Sequence, residues 1–98
     1  MAYQIYKLVW QGIEIEARYE PIDFHNVIAH LEIETINPPK VRLPITETGY
    51  KSHFHPIGTI EKLYNGDVVA YVTAWLDDKA NDKNWKQYVE NSRQGKLF

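Results

Sequence analysis

YKLVWQGIEIEARYE, residues 6–20, alternates apolar and polar side chains on both sides of Gln11-Gly12. Ile13, Ile15, Ala17 and Tyr19 take one parity, and Glu14, Glu16, Arg18 and Glu20 take the other. A period of two is that of a half-buried strand. Gln11-Gly12 reads as a two-residue hairpin turn, with glycine supplying a positive φ at its second position. Such a turn opposes Trp10 to Ile13, Leu8 to Ile15 and Tyr6 to Ala17 on one face, and Lys7 to Glu16 on the other. Apolar then meets apolar and cation meets anion, so turn and pattern select the same register.

The alternation resumes in VIAHLEIETI (27–36), where Leu31 and Ile33 share a face opposite His30, Glu32 and Glu34. NPPK (37–40) ends this third strand, because proline supplies no ladder donor and restrains the residue before it. From Asn37 to about Leu63 the chain is punctuated by prolines 38, 39, 44 and 56 and by Gly49 and Gly58. VRLPIT and YKSHF are its short strand-like runs, and Pro44 confines the first to an edge. A long segment of this kind is a place to look for function.

GDVVAYVTAWLDDKA (66–80) changes to helical spacing. Asp67 is placed to cap, and Val68, Val69, Val72, Trp75 and Leu76 share one broad face. NDKNWKQYVENSRQ (81–94) repeats the signal through Trp85, Tyr88 and Val89, with Asn81 or Asp82 as cap. The closing GKLF reads as a tail or an added strand. The expected fold is α+β: an antiparallel meander near 3–10, 13–20 and 28–36, room for a short fourth strand within 41–54, and two C-terminal helices on the Ile13/Ile15/Leu31/Ile33 face.

Ninety-eight residues make one domain, 1–98, and an apolar fraction of 44% with three Trp, seven Tyr and three Phe supplies a core. With no cysteine, disulfides, thiolate nucleophiles and cysteine zinc sites are excluded, which fits a reducing compartment. No secretory leader or bilayer-length apolar run is present, so the expected location is cytoplasmic. The net charge of −2 is unevenly laid out. Residues 1–36 carry Lys7 and Arg18 against Glu14, Glu16, Glu20, Asp23, Glu32 and Glu34, whereas residues 37–66 are mildly basic.

Three places could carry chemistry. In TETGYKSHFHP (46–56), an extended backbone puts Lys51, His53 and His55 on one side, the imidazoles about 7 Å apart, and Tyr50, Ser52 and Phe54 on the other. This face could take an anion such as phosphate, with Arg42 or Lys40 nearby. It could also contribute two ligands to a metal with hydrolytic activity, a third coming from His25, His30 or a glutamate, although Lys51 opposes a cation. Against both stands a polar loop anchored in the core by Phe54 and Tyr50, for which Phe54→Ala would cost about 3–5 kcal/mol. Second, Glu14, Glu16, Glu32 and Glu34 form an acidic strand face suited to a basic partner, or simply to solvent. Third, the last helix displays Lys83, Lys86, Gln87, Asn91 and Arg93, residue types that read nucleic acid, but Asp77-Asp78 precede it and the domain is not basic.

None of the motifs that define nucleotide binding, serine or cysteine nucleophiles, or zinc hydrolases is present. Ser52 and His53 are strand neighbours facing opposite ways and form no dyad. His53 or His55 could do acid–base work only if the fold brought Glu47 or the acidic face to them. No cofactor is implied. The leading reading is a non-enzymatic protein-binding module, an inhibitor or adaptor. The alternative is a nucleic-acid or phosphate binder using Lys51, His53, His55, Arg42 and the last helix.

LPITETGYKSHFHP (43–56) and GDVVAYVTAWLD (66–77) are similar to segments of small uncharacterised proteins carried on bacterial plasmids and other mobile elements. The resemblance implies a bacterial cytoplasmic accessory protein, and it transfers no catalytic motif or residue role.

Overall fold

The computed structural model describes residues 3–23 and 27–94, the side chains of Asp23 and of residues 92–94 excepted. Four strands, β1 (Gln4–Trp10), β2 (Ile13–Asp23), β3 (Ile28–Asn37) and β4 (Tyr50–Pro56), form one antiparallel sheet in sequential order. Three helices follow: α1 (Thr59–Tyr64), α2 (Val68–Lys79) and α3 (Lys83–Gln94). The α+β class, strands first and helices last, is as expected. The hairpin register also agrees: Trp10 opposes Ile13, Leu8 opposes Ile15, Tyr6 opposes Ala17 and Lys7 opposes Glu16. Its turn holds Gln11 at φ 50 and Gly12 at φ 78, the paired positive values of a turn that matches strand twist.

Antiparallel partners share a face, so the register assigns every strand side chain to one of two surfaces. The inner surface carries Leu8 and Trp10, Ile15, Ala17 and Tyr19, and Ala29, Leu31 and Ile33, all buried. Val68, Val72 and Leu76 of α2 and Trp85 of α3 close over it, with Ile60 of α1 and Leu43 from the 38–49 connection. Trp10 ties the layers together. Its indole lies 5.7 Å from that of Trp85 and its Nε1–H donates to Asp77 Oδ1 at 2.8 Å. Both expected caps are present: Asp67 accepts from the Ala70 amide at 3.0 Å, and Asp82 accepts from the Asn84 amide at 2.7 Å.

The segment after Asn37 differs from its sequence reading. β4 runs to Pro56 and is a full sheet member, because each of its residues opposes one of Ile28–Glu34. VRLPIT makes no edge strand; it turns back on itself through one bridge between Leu43 and Thr46, which buries Leu43. TIEKLY forms the short helix α1, whose six residues are too few to show helical spacing. Gly58 before it and Asn65 after it, both at positive φ, set its ends. The GKLF tail lies outside the described residues.

Candidate functional site

The two sheet surfaces carry different chemistry. Lys51, His53 and His55 do share one side of β4, but that side is the inner one: His53 opposes Leu31, His55 opposes Ala29 and Lys51 opposes Ile33. Phe54 opposes His30 on the outer surface and is 50% exposed, so it does not anchor the strand in the core. Tyr50, also outward, is exposed as well. The anchoring is inverted, with the imidazoles packed and the phenyl ring displayed.

Helix α2 and β2 explain this inversion. His55 is 7% exposed, stacked on Tyr19 with centroids 6.1 Å apart and tilted against Tyr71 at 5.9 Å. His53 lies 5.4 Å from His55 and 4.7 Å from Trp75, and its Nε2 is 3.3 Å from the Tyr71 hydroxyl. Aromatic faces therefore line the space into which both rings point, and flat imidazoles fill it. Phe54, in turn, stacks on the His30 ring with centroids 4.2 Å apart. Phe54→Ala should accordingly cost only about 1 kcal/mol, the contribution of a half-exposed ring and one stacking contact. A denaturation curve showing 3 kcal/mol or more, roughly the cost of a core aromatic, would mean that the ring is buried after all.

Burial lowers the pKa of His53, with Lys51 and His30 adding to it, and burial followed by His53 lowers that of His55, against a small opposing pull from Glu61. Both rings are thus held toward the neutral form, which weakens the case for an anion site. Among the described residues neither ring nitrogen of His55 has a hydrogen-bond partner. Arg42 does not join them. Its guanidinium sits 4.8 Å above the Tyr88 ring, in a separate hollow lined by Glu47, Asn84, Gln87 and Asn91. Among the described residues no three His, Cys, Asp or Glu side chains converge as a metal site, and His25 lies outside them.

The outer surface brings three of the four expected glutamates together around one cation. Arg18 reaches Glu16 at 2.7 Å, Glu32 at 3.0 Å and Glu34 at 3.2 Å. Burial alone would lower the Arg18 pKa, but the three carboxylates outweigh it and hold the guanidinium firmly charged. Glu32 also accepts from the Tyr50 hydroxyl at 2.9 Å. Burial would raise its pKa, yet the hydrogen bonds from Arg18 and Tyr50 bring it below the usual range. His30 continues the lattice, with Nε2 2.8 Å from Ser52 Oγ and Nδ1 3.2 Å from the Tyr3 hydroxyl. Glu14 stands apart, exposed, beside Lys7, Val9 and Ile36 around a hollow of about 200 Å³.

Large apolar side chains border this lattice. Val9 is 69% exposed and Ile5 60%, and Ile36, Phe54 and Tyr50 are exposed too. Ile36 continues the outward parity of Glu32 and Glu34, and the bulge beside it lets Asn37 pair with Glu14. Strand alternation could have found all three, since Ile5 and Val9 carry the parity of Lys7 and Ile36 carries that of Glu32 and Glu34.

A four-stranded antiparallel sheet with helices over one face and the other face open defines a small α+β domain. The chain belongs to the family of KlcB third domains, matching it over residues 3–85. No curated protein and no solved structure matches it. No described helix is long and apolar enough to cross a membrane.

Proposed function

We propose that this chain is a protein-binding module whose open sheet face docks a partner surface carrying both basic and apolar groups. The observation that carries the reading is the composition of that face: Ile5, Val9, Ile36 and Phe54 exposed around Glu14, Glu16, Glu32 and Glu34, with Lys7 and Arg18 as counter-ions. Exposed apolar side chains next to ordered charge are the ingredients of an interface core with a polar rim. The excess of carboxylates selects a basic partner and disfavours a second copy of the same chain, whose acidic face would repel it. The lattice on Arg18 fixes three carboxylates in advance, which lowers the ordering cost of binding.

Membership in a family defined as the third domain of KlcB, a plasmid-associated protein, bears on the setting rather than on the binding. It fits a bacterial accessory role in a cytoplasmic, mobile-element setting, as inhibitor or adaptor. The test is capture from a plasmid-bearing lysate by the native chain and by a Val9→Lys, Glu14→Lys variant, both positions being exposed and opposed across β1 and β2. The native chain should retain a basic protein that the variant loses. Equal capture by both would remove the reading.

A second reading has one observation in its favour: Arg42, Asn84, Gln87, Tyr88 and Asn91 line one polar hollow of about 420 Å³, and these side-chain types contact bases and phosphates. A gel shift whose affinity falls steeply with salt, and which Arg42→Ala removes, would favour it.

A further inference from the structure

On the helix side, away from the open sheet face, a cleft of about 480 Å³ lies between β4 and helices α1 and α2. His53, Tyr64, Tyr71, Ala74, Trp75 and Asp78 line it. Ala74 leaves room between the rings. Tyr64 and Tyr71 meet edge to face at 79° with centroids 5.5 Å apart, Tyr71 and Trp75 are tilted at 51° and 6.1 Å, and Trp75 and His53 at 51° and 4.7 Å. The walls therefore turn from each ring to the next. Tyr64, Tyr71, Trp75 and His53 are each only partly buried, so ring surface remains open to solvent. Asp78, exposed on the last turn of α2, is the one carboxylate among the lining residues.

These features suit a single ligand chemistry. Aromatic faces present negative potential, strongest for tryptophan, and attract a cation placed within about 6 Å of the ring centre. A carboxylate at the rim adds a full charge of the same sign. We propose that this cleft binds an alkylated ammonium group, a quaternary or methylated amine on a small molecule or a side chain. A rounded cation can lie against several rings each inclined to the next, whereas a planar guanidinium gains most from stacking parallel to one ring. His53 completes the wall as a neutral ring, its Nε2 already engaged by the Tyr71 hydroxyl. Lys51, two residues along the strand, is not among the lining residues. The cleft shares no lining residue with the open sheet face, so it stands or falls independently of the docking role.

The experiment titrates the native chain with choline, with methylguanidinium, and with 3,3-dimethyl-1-butanol, which has the shape of choline without its charge. The readout is the Trp75 indole N–H signal, distinguished from those of Trp10 and Trp85 by a Trp75→Phe variant. Choline should shift it with an affinity roughly 10-fold better than the neutral alcohol, the ratio expected of a partly desolvated cation–π contact, and should also outbind methylguanidinium. Asp78→Asn, at an exposed position, should weaken choline several-fold and leave the alcohol unchanged. Equal shifts from choline and the alcohol would reduce the cleft to an apolar hollow, and no shift from choline at tens of millimolar would overturn the proposal outright. A stronger response to methylguanidinium would overturn the ligand class.

Discussion

Replacing Gly49 with alanine is expected to destabilise the protein by about 3 kcal/mol, more than most single substitutions do. Gly49 sits at φ +82, a conformation that costs an L-residue about 1 kcal/mol before any contact is counted. A Cβ there would lie 2.5 Å from Thr35 Oγ1 and 2.7 and 2.8 Å from the backbone of Lys40. The Thr35 hydroxyl is buried and committed to the Gly49 carbonyl, which also accepts from the Thr35 amide at 2.9 Å. Backbone on one side and a locked side chain on the other leave no cheap way to relax. Gly12 is the natural control: its φ is +78 and nothing lies within 4 Å of an added Cβ, so Gly12→Ala should cost only about 1 kcal/mol. Denaturation midpoints of the two variants measure the difference. Equal costs would show that the 35–49 corner, which launches β4 and its histidines, is looser than described.

The second large effect is acid sensitivity. His53 and His55 have pKa values lowered in the folded chain, so the unfolded chain binds their protons first as pH falls. Stability from these two groups is complete above the unfolded value of about 6.5 and declines below it, until the folded rings also protonate. Both groups act in the same direction, so their losses add as pH falls through this range and end where the folded rings protonate. His55→Phe should flatten this dependence, because phenylalanine keeps the stacking on Tyr19 and adds no buried nitrogen. The comparison is made between pH 7.5 and 5, above most of the titration of Glu32, whose lowered pKa puts its own loss further down. Native and variant curves that run parallel across this window would show that His55 is not held neutral by burial.

Strand parity made the first half of the fold legible. From Tyr6 to Tyr19 every second residue is apolar and the turn allows one register, so the hairpin, its facing pairs and the acidic surface could be read directly. β4 resisted the same reading for a physical reason. Both of its parities carry ring side chains, Tyr50 and Phe54 on one and His53 and His55 on the other, and hydrophobicity favours the wrong one. The answer came from pairing, which places His53 opposite Leu31, and from Tyr71 and Trp75, which supply aromatic surface for imidazoles. Neither is local to the strand. Arg18 was visible as a lone cation among glutamates, but its reach to Glu16, Glu32 and Glu34 depends on the β2–β3 register. The cleft was hidden because Trp75 fits the apolar stripe of α2. The helical offsets joining Tyr71, Trp75 and Asp78 were the available signal.

The central claim, that the open sheet face is the docking surface, is tested most directly by site-specific photo-crosslinking in plasmid-bearing cells. A photoreactive residue is placed at Val9, on the open face, or at Asn84, in the Arg42/Tyr88 hollow on α3. The account predicts a discrete protein adduct from Val9, weakened by Glu14→Lys in the same chain, and none from Asn84. An adduct from Asn84 alone, or capture of nucleic acid there with Val9 silent, would contradict it.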